Sequence, residues 1–66
     1  MPAKKGDEIY FEFIMQGGVL KATAIDPKTG TEVSVIGPAN PTAREALKTA
    51  AARKLEFVLK KKRGDA

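Results

Sequence analysis

TAREALKTAAARKLEFVLKKKR, residues Thr42 to Arg63, reads as one amphipathic helix, and the short strands and tight turns before it need that helix to cover them. On a helical period Ala43, Leu47, Ala50, Ala51, Leu55 and Val58 share a stripe, flanked by Ala46, Phe57 and Leu59. The alanines let the helix approach a sheet closely, while Leu47, Leu55, Phe57 and Val58 supply volume. Two starts fit. Thr42 followed three residues later by Glu45 is a capping box; alternatively Asn40 caps and Pro41 takes the first helical position. At the far end Lys60, Lys61, Lys62 and Arg63 suit the negative pole of the helix dipole, and Gly64 suits the exit. Lys54 falls near the middle of the stripe. Its stem is expected to pack while the ammonium reaches past a sheet edge, with a buried functional lysine as the alternative.

Working back from the helix, Gly37-Pro38-Ala39-Asn40-Pro41 turns the chain over, and Gly37-Pro38 ends a strand from Thr31 to Ile36. Val33 and Val35 belong on its helix-facing side. The turn before it, Asp26-Pro27-Lys28-Thr29-Gly30, has proline to preset φ, an aspartate to accept N–H bonds and a glycine for the left-handed exit. Further back, EIYFEFIM from Glu8 to Met15 alternates as a strand, and Gly17-Gly18 is a two-residue hairpin turn. Pairing Gln16 with Val19 then sets Met15 against Leu20, Phe13 against Ala22 and Phe11 against Ala24. Each large ring faces a small methyl, leaving room for a helix above. The other face pairs Ile14 with Lys21, Glu12 with Thr23 and Tyr10 with Ile25. The expected fold is therefore α+β, a three-stranded antiparallel β-meander with one C-terminal α-helix packed across one face (β-β-β-α). Residues 1–7 read as a disordered leader, 8–63 as the domain and 64–66 as a tail.

Composition narrows the function classes. At 66 residues the chain holds one domain with a small core, since such domains bury only about 60% of their unfolded surface. There is no Cys and no His, so disulfides and Cys/His zinc sites are excluded and no acidic cluster resembles a calcium loop. The lone serine, Ser34, has no evident base, Asp7 and Glu8 read as a solvated pair, and Gly17-Gly18 is too short to cradle a phosphate. The expectation is no enzyme, no cofactor, no metal and no small-molecule substrate. No apolar run has the length of a signal peptide core or a membrane span, so a cytoplasmic location is expected.

Charge is uneven. From Ala43 to Arg63 eight basic residues stand against Glu45 and Glu56, a surplus of six, which leaves minus two of the net +4 for the rest of the chain. A basic helix on a mildly acidic body is a statement about partners. Lys60, Lys61, Lys62 and Arg63 suit phosphate contacts, and they equally suit a solvated, dipole-complementing C-terminus. A membrane-surface role ranks last, because the apolar stripe is already needed for the core.

The strands followed by REALKTAAARKLEFVL resemble the C-terminal half of the double-stranded-RNA-binding domain, whose last helix opens on a lysine motif followed by alanines. Setting Ala50-Ala51-Ala52 on that alanine run places Arg44 and Lys48 at two of the family's three basic positions, and Glu45 at the third. The first helix of that family is missing here, and its loop between the first two strands is replaced by Gln16-Gly17-Gly18. The whole chain, including AIDPKTGTEVSVIGP and RKLEFVLKKKRG, is similar to a family of small bacterial proteins of unknown function, a resemblance that implies no activity, cofactor or partner.

Two functions are carried forward. One is a non-enzymatic binding module contacting nucleic acid, RNA in particular, through Arg44, Lys48, Lys60, Lys61, Lys62 and Arg63. The other is a protein-interaction or homodimer module using the outer sheet face at Tyr10, Ile14, Ile25 and Ile36, where apolar residues are expected to stand exposed.

Overall fold

The computed structural model describes residues 8–63, so the expected leader and tail lie outside the described residues. Strands β1 (Tyr10–Gln16), β2 (Val19–Asp26) and β3 (Thr31–Pro38) form one antiparallel sheet in that order, and helix α1 (Pro41–Arg63) packs on one face. This is the expected β-β-β-α meander.

The β1–β2 register is the expected one at every pair, from Gln16↔Val19 to Tyr10↔Ile25. Gly17 has φ +63° whereas Gly18 stays out of the positive region, the sign pattern of a type II′ turn, in which the first central residue needs glycine. A two-residue turn makes Gln16 and Val19 a hydrogen-bonded pair. By alternation Tyr10, Glu12 and Ile14 also bond to β2, while Phe11, Phe13 and Met15 direct their backbone N–H and C=O groups toward the open edge. β1 starts at Tyr10 and not at Glu8, because β2 gives way at Asp26 to the next turn.

That turn is a polar cluster. Asp26 is buried and accepts the Lys28 N–H at 3.3 Å, the Thr29 hydroxyl at 2.8 Å and, through its carbonyl, the Gly30 N–H at 2.8 Å. Gly30 has φ +76°, the left-handed exit expected of it. Thr29 and Thr31 hydroxyls lie 2.8 Å apart, and Lys62 Nζ donates to Thr31 Oγ1 at 3.2 Å. One hydroxyl has one proton. Thr29 gives its proton to Asp26, so Thr31 donates to Thr29 and accepts from Lys62, an ordered chain that ties the end of α1 to the β2–β3 turn.

β3 continues to Pro38, two residues beyond the expected end. The same alternation turns the backbone groups of Glu32, Ser34, Ile36 and Pro38 outward, so the donor that Pro38 lacks belongs to no ladder. Gly37 has a packing reason of its own: a Cβ there would sit 2.9 Å from Leu47 Cδ2, and that side chain would have to shift. At the helix start Asn40 Oδ1 accepts the Ala43 N–H at 2.8 Å and the Thr42 hydroxyl at 2.9 Å. The second of the two expected starts is therefore the one used, and the Thr42–Glu45 box is not. Pro41 presets the first helical φ, which places Thr42 inside the helix and leaves Asn40 as the cap.

Ala22, Ala24, Ala51 and Leu55 are fully buried, with Leu20 and Val33 nearly so. Helix and sheet thus meet where methyls face methyls. The helix lies over β2 and β3, because the Phe11 and Phe13 rings hold it off β1. Rotated this way, α1 leaves Ala46, Ala50 and Phe57 exposed, and Phe57, expected to fill the core, is 61% exposed.

Candidate nucleic-acid interface

The off-centre helix leaves an open groove of about 880 Å³ beside β1. Ile9 and Phe11 form its floor, and Ala52 and Leu59 give its helix wall an apolar strip. Lys28, Lys48, Arg53, Lys60 and Lys62 line its rim, together with the carboxylates of Asp26, Glu45 and Glu56. Asp26 is already engaged by its own turn, so cations dominate what the groove presents.

Two contacts define the wall above β1. The Arg44 guanidinium stands 4.4 Å from the centre of the Phe13 ring, and Lys48 Nζ 5.2 Å from that of Phe11. Both cations are exposed and both rings half-buried. The helical period accounts for this: Arg44, Lys48, Ala51, Leu55, Val58 and Lys62 follow one row. The 23-residue helix spans roughly 34 Å, and the eight-residue β2 roughly 27 Å. The ends of the row overhang the core, and there the sequence has cations in place of alanine and leucine.

The six basic residues expected to bind nucleic acid are therefore not one surface. Arg44 and Lys48 come together over the β1 rings, Lys60 and Lys62 reach the far rim of the groove, and Arg63 ends the helix. Lys61 sits 5.5 Å over Phe57, outside the groove lining. Lys54 reaches the β3 edge as expected, where its Nζ donates to the Ser34 carbonyl at 3.1 Å. What sequence reasoning missed is Phe11 and Phe13, assigned to the core alone. The signal available was that they lie on an edge strand and face the two basic residues one helical turn apart.

The outer sheet face places Tyr10, Ile14 and Ile36 in solvent, 56%, 47% and 67% exposed, with Ile25 half-buried. The register splits these four. Tyr10 pairs with Ile25 at one end, while Ile14 and Ile36 flank Lys21 at the other. Between them runs the row Glu12–Thr23–Ser34, closed by a 2.9 Å bond between the Thr23 and Ser34 hydroxyls. Two small apolar patches result, not one.

Among the described residues no group of three or more acidic side chains is placed to hold a metal ion, and no helix is long and apolar enough to cross a membrane. Comparison with family models matches residues 6–62 to one described as a domain of unknown function, DUF6898. No curated protein and no solved structure matches the chain.

Proposed function

We propose, for a chain that belongs to the DUF6898 family and takes no activity or partner from it, a non-enzymatic module that binds single-stranded nucleic acid, RNA in the first instance, along the groove beside β1. The observation that carries this reading is the pairing of a ring and a cation at successive inner positions of β1, Phe13 under Arg44 and Phe11 under Lys48. Single-strand binders combine aromatic platforms for bases with cations that follow the phosphates. An exposed cation–ring contact is worth only about 0.5–1 kcal/mol, so Arg44 and Lys48 can move to phosphates and leave their rings to bases. Arg53 and Lys60 extend the positive rim along the same groove. A duplex fits less well, because Arg44 and Lys48 are turned toward the sheet and do not project from the helix. Ser34 has a structural role in its bond to Thr23, consistent with a module that does no covalent chemistry.

The test is fluorescence anisotropy with a labelled single-stranded RNA of about 12 nucleotides, beside a duplex of about 16 base pairs. Single-strand binding is expected to weaken with salt at about 0.7 log units per log unit for each phosphate neutralised. Phe11→Leu/Phe13→Leu keeps apolar volume but removes the platforms, and is expected to weaken binding by about tenfold or more. Arg53→Ala/Lys60→Ala is expected to flatten the salt slope. Absence of binding at about 50 mM salt, or tighter duplex binding indifferent to the phenylalanine variant, would overturn the reading.

A further inference from the structure

We infer that the groove is half of a larger site, completed when a second copy of this chain adds its β1 antiparallel to β1 across the open edge. The ligand of the completed site rests on the nucleic-acid reading above; the self-pairing stands on the strand edge alone.

The two edges of the sheet are not alike. β3 is blunted: Pro38 has no donor, and the outward Ser34 carbonyl is taken by Lys54. β1 is less guarded, its one charged side chain being Glu12 on the outer face. It has no proline and no lysine, its ladder to β2 runs from Tyr10 to Gln16 without a bulge, and the helix lies over the other two strands. Its outward backbone groups belong to Phe11, Phe13 and Met15, whose side chains also form the apolar inner face. Among the described residues Met15 is the most exposed of the large apolar side chains, at 69%.

Self-pairing has a preferred register. With the two-fold axis at Phe13, all seven residues of β1 pair: Phe13 with Phe13, Phe11 with Met15, Glu12 with Ile14 and Tyr10 with Gln16 of the other copy. Outward groups then meet outward groups, so the Phe13 and Phe11–Met15 pairs are hydrogen-bonded ones. Moving the axis to Glu12 sets two carboxylates opposite each other, which disfavours that pairing. Moving it to Ile14 sets Phe11 against the turn glycine. The Phe13 register buries the exposed Met15 against a ring and keeps the charges apart.

The result is a six-stranded sheet with a helix on each side of the central pair. Among the described residues the groove of one copy has a single wall, because no element lies past β1. Pairing gives it a second wall from the other copy's helix. Each groove keeps its own Ile9 and Phe11 floor with Lys48, Glu45 and Glu56 around it, and the Phe13 rings of both copies, each under its Arg44, join the two floors at the axis. Such a trough is twice as long in aromatic platforms and more cationic than either half, which is what an extended polyanion with stacking bases would use.

The register is tested on the unliganded full chain, which has no native cysteine to interfere. Sedimentation equilibrium up to about 1 mM protein is expected to show reversible dimers. Met15→Lys places a charge on the inner edge, away from the monomer's buried core, and is expected to raise the dimer dissociation constant by at least about tenfold while leaving the circular dichroism spectrum unchanged. In Glu12→Cys/Ile14→Cys the two cysteines face each other across the non-hydrogen-bonded pair at disulfide distance, and mild oxidation is expected to yield a covalent dimer. Glu12→Cys alone sets its cysteines diagonally and is expected to yield no covalent dimer on oxidation. A monomer at every concentration, or a dimer dissociated by Ile36→Lys on the outer face but not by Met15→Lys, overturns the inference. A dimer that forms without RNA and binds none would leave the self-pairing standing and remove the nucleic-acid reading.

Discussion

At Asn40 one side chain decides where the helix begins. Its Oδ1 accepts both the Ala43 N–H and the Thr42 hydroxyl, and a lost cap of this kind typically costs about 1 kcal/mol. Asn40→Ala is therefore expected to lower the free energy of urea unfolding by about 1 kcal/mol, while Glu45→Ala shifts it by less than about 0.5 kcal/mol. Equal effects would restore the capping box. Both caps were readable in the residues, and what chose between them was backbone geometry, since Pro41 takes helical φ at the first position. The glycines make the same point. Gly17 and Gly37 were both visible as turn or strand-end residues, but only the folded chain shows that one holds a positive φ and the other makes room for Leu47.

At the scale of elements, α1 is held by a narrow row. Leu55 is fully buried among alanines whereas Phe57, two residues on, is mostly in solvent. Leu55→Ala is expected to cost about 2–5 kcal/mol, enough to unfold much of a domain this small, and Phe57→Ala less than about 0.5 kcal/mol. Thermal unfolding followed by circular dichroism separates the two directly. A periodic wheel could not separate them, because the apolar arc spans more than one orientation. The β1–β2 register, by contrast, was legible in full: a two-residue turn and strict alternation leave no freedom, and a slip of one residue would move every ring to the wrong face.

For the molecule as a whole, the small core is the governing fact. Among the described residues one helix on three strands leaves the outer face and the β1 edge uncovered, and a fold of this size has little stability in reserve. If the β1 edges pair, dimer and native state are linked by mass action, and the midpoint of thermal unfolding is expected to rise with protein concentration in the parent but not in Met15→Lys. Differential scanning fluorimetry across a hundredfold dilution reads this out. A concentration-independent midpoint in the parent would count against a stable dimer.

By itself the sequence determined the class of fold, the β1–β2 register, the turns and the identity of the helix, because each follows from local spacing: period two, period 3.6, and residues with restricted or permissive φ. The tertiary structure alone decided where the helix lies on the sheet. That choice depends on the sum of side-chain volumes across two layers, methyl against methyl over β2 and β3 and rings standing up from β1, and no local pattern contains that sum. It is also the choice that opens the groove and sets Arg44 over Phe13 and Lys48 over Phe11.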